Sequence, residues 1–128
     1  GQPSGPQAGQ AAPPAPGATP AELAFDDFKR LDLRVARVIS CERVPKKERL
    51  LKVELDVGPL GRRHVVAGLA QFATPDEMVG RQVVIVANLK PAKIGGIVSS
   101  GMILAIGDEA IVGLLAPDRE VAPGSPIR

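Results

Sequence analysis

Residues 50–57, LLKVELDV, set Leu51, Val53, Leu55 and Val57 in strict alternation with Lys52, Glu54 and Asp56. Successive side chains of a pleated strand point to opposite faces, so this spacing predicts a strand that buries the four apolar residues and presents the three charged ones. Upstream, Leu31, Leu33 and Val35 alternate with Asp32, Arg34 and Ala36 in the same way, until Val38 and Ile39 break the phase. A phase break inside a strand marks a bulge or strong bend. Downstream, Gly58-Pro59-Leu60-Gly61 is a turn-rich connection to a further β-branched run around His64, Val65 and Val66. The two runs are expected to form a hairpin.

Between Thr74 and Gly80 the signals become helical. Thr74 can cap, Pro75 suits the first helical position, Glu77 sits at capping-box spacing and Gly80 can close the C-terminus. Val83 to Ala87 is a continuous apolar run, as expected for a strand covered on both sides, and Met102 to Ile106 looks alike. A last apolar segment spans Ile111 to Ala116. Three strands, a short helix, two strands and a further apolar segment predict an all-β domain, a five-stranded OB-fold barrel with one short helix and a C-terminal extension. A small Greek-key sandwich is the alternative.

Residues 1–21 hold six prolines, six alanines, four glycines and no charge, and read as a flexible Pro/Ala/Gly-rich linker. All sixteen basic and fourteen acidic residues lie in 22–128, read as one domain. A tether of this kind usually joins folded parts. With Gly1 at the start, the expectation is a C-terminal domain of a longer protein, a processed free-standing protein being the alternative. The linker lacks the basic start and apolar stretch of a signal peptide, and the chain has no run of 18 apolar residues. The expected location is cytoplasmic.

One Cys, one His, no Trp and no Tyr supply neither a zinc set nor a disulfide framework nor a Cys/His nucleophile pair. The expectation is a noncatalytic domain with no cofactor and no metal. Cys41 reads as a small packed residue and His64 as a strand-face residue. Asp26, Asp27, Asp76 and Glu77 read as helix-start charges.

The net charge is only +2, so its distribution matters. From Lys29 to Lys52, nine basic residues stand against Asp32, Glu42 and Glu48, an excess of six. Such a face attracts phosphates, although it could equally be a solvated surface. The stretch NLKPAKIGGIVSSGM, 88–102, is unusually polar and glycine-rich for a link between apolar strands. Asn88, Lys90, Lys93, Ser99 and Ser100 could bond phosphate or sugar oxygens, and Met102 reads as core or as an apolar contact at the loop rim. Phe25, Phe28 and Phe72 are the only aromatic residues, all expected to flank the core. Stacking on single strands is therefore disfavoured, and recognition of folded RNA by shape, phosphate spacing and 2′-hydroxyls is favoured.

Four ordered segments, LDLRVARVI at 31–39, PKKERLLKVELDVG at 45–58, VVAGLAQF at 65–72 and VANLKPAKIGGIVSSGMILA at 86–105, resemble one family. It is the tRNA-binding domain found free-standing, as the C-terminal domain of many bacterial methionyl-tRNA synthetases, and in relatives of endothelial monocyte-activating polypeptide. The resemblance covers about residues 25–128. It implies an OB fold, a homodimer and binding to the shape of tRNA with little regard to which tRNA. Fused to a synthetase catalytic core, such a domain raises tRNA affinity and helps hold two subunits together. Carried over by motif, Arg34, Asn88, Lys90, Lys93, Ser99 and Met102 are the candidate tRNA-binding residues, and Arg37 and Lys52 join them on charge and strand geometry. Gly95 is a departure, standing where several relatives carry a basic residue. Free-standing relatives are associated with protein export, so a chaperone-like peptide binder is the alternative, and a purely structural dimerisation module is a third reading. Dimerisation also has a motive in the residues themselves, because the apolar segments and the tail from Ile111 to Ile127 are more than a lone small barrel easily covers.

Overall fold

Twelve consecutive residues, Leu33–Val44, form strand β1, which carries hydrogen-bonded neighbours on both edges. A computed structural model describes residues 21–128; the linker expected over 1–21 lies outside them but for Ala21. The other elements in chain order are α1 (Phe25–Phe28), β2 (Lys47–Asp56), β3 (Arg62–Ala67), α2 (Pro75–Met78), β4 (Gln82–Val86), β5 (Ala92–Ile94), β6 (Ile97–Ser99), β7 (Met102–Ile103), β8 (Ala105–Ile106), β9 (Gly113–Leu114) and β10 (Pro126–Ile127). The main sheet runs β3-β2-β1-β4-β7, and β10 pairs with β1. Two small ladders, β5-β6 and β8-β9, complete an all-β fold with two short α-helices and one turn of 3-10 helix at Gly58–Leu60.

The sequence periodicity explains the register. Leu51, Val53, Leu55 and Val57 are each fully buried, with Lys52, Glu54 and Asp56 on the opposite face. The phase break at Val38 and Ile39 is a register shift between Val38 and Ser40, and a second lies between Arg43 and Val44. The bend lets β1 pair with β4 over 33–37 and with β2 over 37–44. Val83 to Ala87 are all buried: Val83, Ile85 and Ala87 join the main core, and Val84 and Val86 lie on the other face. Helix α2 begins with both halves of the predicted capping box, Glu77 N–H to Thr74 Oγ1 at 3.2 Å and Thr74 N–H to Glu77 Oε1 at 2.8 Å. Its Met78 closes one end of the core.

Two expectations change, and the C-terminal extension gains a strand. The run from Met102 to Ile106 is two short strands, because the chain stays bonded to β4 up to Leu104, whose N–H donates to Val84 O at 2.9 Å, and then pairs β8 with β9. Ile103 is buried there, whereas Met102 and Ile106 are exposed. The C-terminal tail returns to the main sheet as β10. Phe25 does not flank the core; it stands 71% exposed in α1, with its ring 6.4 Å from that of Phe28.

The two ends of the sheet approach each other. Ser100 N–H donates to His64 O at 2.8 Å, and Val66 N–H donates to the buried Ser99 Oγ at 3.0 Å. Among the described residues no strand ladder joins β3 to β7. At the other side, the turn after β2 meets the tail. Gly58 has φ +57°, and a Cβ there would lie 2.1 Å from the Pro123 carbonyl oxygen. Gly58→Ala combines a left-handed backbone with a backbone clash, so it is expected to destabilise the fold by at least ~2 kcal/mol, read by chemical denaturation. Limited proteolysis should show the 116–125 segment cleaved faster in this variant.

Candidate functional site

The long connection after β4 is held from both ends by its own polar side chains. Asn88 donates through Nδ2 to Arg30 O at 2.7 Å and accepts the Asp32 N–H at 3.0 Å. With Ala87 N–H donating to Asp32 O at 2.7 Å, the side-chain amide extends the β1-β4 pairing by one more rung. At the far end, Ser99 is 2% exposed, and its hydroxyl accepts from Val66 N–H and donates to Gly101 O at 3.3 Å. Both side chains fix the frame of the loop.

Between these anchors the chain folds out as the β5-β6 hairpin, with Lys93 paired opposite Val98 and Gly95 and Gly96 at its tip. Gly95, at φ +60°, packs against β2: a Cβ there would meet Leu50 Cδ1 at 2.7 Å and Lys47 Cγ at 3.4 Å. The hairpin tip thus sits beside the β1-β2 turn, where Arg43, Lys46, Lys47 and Arg49 are exposed and Lys46 takes φ +66°. The basic segment and the glycine-rich segment of the sequence become neighbours in space. The aliphatic stem of Lys47 lies beside the position where the family resemblance expects a basic residue and this chain has glycine.

The base of the hairpin faces β3 across an open groove of about 660 Å³. Arg62, His64 and Lys90 line it together with the apolar side chains of Leu89 and Val98, which are 44% and 51% exposed. Arg63 also lines it, its guanidinium bonded to Ala87 O. His64 borders a second cavity of about 170 Å³ shared with Lys52, Glu54 and Cys41. Lys52, His64, Arg62 and Lys90 are therefore linked along one surface. Lys90 and Lys93 are exposed, and among the described residues neither has an ion pair. Lys52 lies 3.9 Å from Glu42 and Arg62 3.6 Å from Glu54, both loose pairs that leave the cations open to a polyanion.

Arg34 and Arg37 stand apart from this surface in role. Arg34 donates to Asp32 Oδ1 at 2.9 Å and to Gly124 O at 3.0 Å. Arg37 donates to Gly80 O at 2.8 Å and to Glu120 Oε2. Both hold the C-terminal tail against the sheet. Met102, exposed on β7, pairs with Val86. Arg62 and His64 are not among the sequence-based binding candidates, since both lie outside the basic segment 29–52 and the glycine-rich segment 88–102, and only the fold brings β3 beside the latter. Burial pushes the Cys41 thiol above its ordinary pKa, with the charge of Glu42 adding to the effect and Arg43 opposing it. It is kept as a neutral, weakly nucleophilic thiol.

A family model described as a putative tRNA binding domain matches residues 33–126. The methionine–tRNA ligase of Methanosarcina acetivorans is 49% identical over 108 residues, which is 84% of this chain and 15% of that protein. The chain thus spans under a fifth of the length of the curated relatives it matches. Among solved structures, the chaperone CsaA of Bacillus anthracis has a TM-score of 0.77 at 33% identity, covering 84% of this chain and 100% of its own. A MetRS related protein of Pyrococcus horikoshii has a TM-score of 0.78 at 29% identity, covering 84% of this chain and 99% of its own.

The anchoring role of Asn88 is testable by substitution. Asn88→Ala is expected to cost about 1 kcal/mol, the net worth of exposed hydrogen bonds, and to speed hydrogen exchange at the Asp32 amide. Unchanged exchange at Asp32 would remove Asn88 from the clamp.

Proposed function

The chain belongs to the family of tRNA-binding domains, and from that premise we propose that it is a noncatalytic, structure-specific docking module that acts in the cytoplasm. The reading takes its curled sheet as a five-stranded OB barrel, supported by the bonds that tie β3 to residues 99 and 100. In such barrels the β2-β3 face and the loops after the first and fourth strands form the binding rim. Here those are the surface of Lys52, Arg62 and His64, the basic β1-β2 turn and the β5-β6 hairpin. The single observation that carries the proposal is the packing of Gly95 on Lys47 and Leu50, which joins the two cationic loops into one platform.

Lys90, Lys93, Lys52 and Arg62 contact phosphates in this reading, and Met102 adds an apolar contact at the rim. Asn88, Ser99, Arg34 and Arg37 serve by position, because their polar atoms already bond other parts of the chain. The platform follows the sugar-phosphate contour of folded tRNA, and the absence of Trp and Tyr limits base stacking. A tether at the N-terminal side would join the module to a methionyl-tRNA synthetase core, where it raises the local concentration of tRNA. Export chaperoning is the second reading, favoured by the 33% identity to CsaA.

A filter-binding titration against salt tests the reading. Lys90→Ala combined with Lys93→Ala is expected to weaken tRNA binding several-fold and to reduce the log-log salt slope by about 1 to 2, one for each phosphate left unneutralised. Folded tRNA should compete better than heat-unfolded tRNA. An unchanged slope, or equal competition by both RNAs, would overturn the docking role.

The proposal includes a symmetric dimer. Phe25 and Val112, each 71% exposed, are the most exposed large apolar side chains among the described residues, and a lone protomer leaves both in water. Phe25→Asp with Val112→Asp should convert a dimeric mass to a monomeric one in analytical ultracentrifugation; a monomeric parent chain would dispose of the idea.

A further inference from the structure

We propose that the groove between β3 and the base of the β5-β6 hairpin receives one unstacked nucleotide of the bound RNA, its base lying against His64. The inference rests on the docking role proposed above and names the RNA feature that role engages. A phosphate contact needs only an exposed cation, and Lys93 at the hairpin supplies one. The groove offers more than that. It is an open groove of about 660 Å³, roomy enough for a nucleotide to enter from solvent. Its walls divide chemically, with Leu89, Val98 and Pro91 apolar and Arg62 and Lys90 cationic.

That division matches a splayed nucleotide, which presents a flat apolar face flanked by two phosphates. An intact duplex buries its base faces and would leave Leu89 and Val98 facing ribose and water. RNA-binding proteins stack splayed bases on Phe, Tyr, Trp, His or the plane of Arg. The three Phe residues of this chain are elsewhere, since none lines the groove, and His64 is its one ring of that kind. The backbone of His64 is also fixed, because its carbonyl accepts the Ser100 N–H at 2.8 Å. Arg63, bonded to Ala87 O, holds the floor. None of the lining groups selects one base by a paired donor and acceptor set, which is consistent with contact to many tRNAs.

Substitution at His64, an exposed position, separates stacking from charge. His64→Ala is expected to weaken tRNA binding about 5- to 10-fold with the salt slope unchanged, and His64→Phe to restore it to within about twofold. Equal loss in both variants, or wild-type binding by His64→Ala, overturns the stacked nucleotide while leaving the docking role to stand on the Lys90 and Lys93 result. In a second arm, ¹⁵N chemical shifts of His64 and Val98 are followed during addition of an RNA hairpin with an unpaired loop, a blunt RNA duplex of equal charge, and AMP. The hairpin should move both residues, and the duplex and AMP should leave them in place at equal concentration. Equal shifts from the duplex would make the groove a phosphate site, and tight saturation by AMP would make it a site for free nucleotides; either result overturns the proposal.

Discussion

Everything in this fold is built on the ability of one bent strand to hydrogen-bond along both edges. β1 pairs with β4 through its first five residues and with β2 through the rest, and the slip between Val38 and Ser40 marks where the strand turns from one partner to the other. A straight strand would carry β2 and β4 side by side over the same residues and leave an open, flat sheet. The bulge raises the local twist, brings the β3 edge near residues 99 and 100, and encloses a core of aliphatic side chains. β10 fills the length of β1 that β2 does not reach.

Polar anchors flank β4, one of the partners of β1. Gln82 at the start of β4 exchanges two hydrogen bonds with the Val121 backbone, at 2.6 and 3.0 Å, and Asn88 just past its end does the same with residues 30 and 32. In each case a side-chain amide imitates a peptide group and continues the ladder where no strand is available. Arg34 and Arg37 fasten the tail by charge-assisted bonds to carbonyls and carboxylates. Residues that look like ligands for a polyanion in a linear reading are thus divided between two tasks. Those with fixed internal partners shape the platform, and the lysines without them remain open to solvent.

That division explains the character of the surface. Lysine ammonium groups on flexible stems make contacts that tolerate variation in phosphate position. A bonded frame beneath them keeps the stems spaced, and the proposed preference for folded RNA rests on that spacing. The open groove beside β3 adds an imidazole and apolar walls to this surface.

Much of this was written in local pattern. The alternation in 50–57 set the buried face of β2, the phase break at Val38 announced the bend, and the Thr74 to Glu77 spacing produced its capping box, because each depends on residues within a few positions of one another. The split of Met102 to Ile106 into β7 and β8 and the return of the tail as β10 depend on which other segment each pairs with, and the exposure of Phe25 on what the fold leaves uncovered, about all of which a local period is silent. The candidate site divides along the same line. Residue type identified Lys90 and Lys93 as cations able to meet phosphate, and family resemblance marked the segment from Asn88 to Met102. Tertiary packing alone decided that Asn88 and Ser99 turn to the backbone, that Gly95 lies on Lys47, and that Arg62 and His64 share a groove with Lys90, because a side chain's partner is fixed by the chain that folds across it.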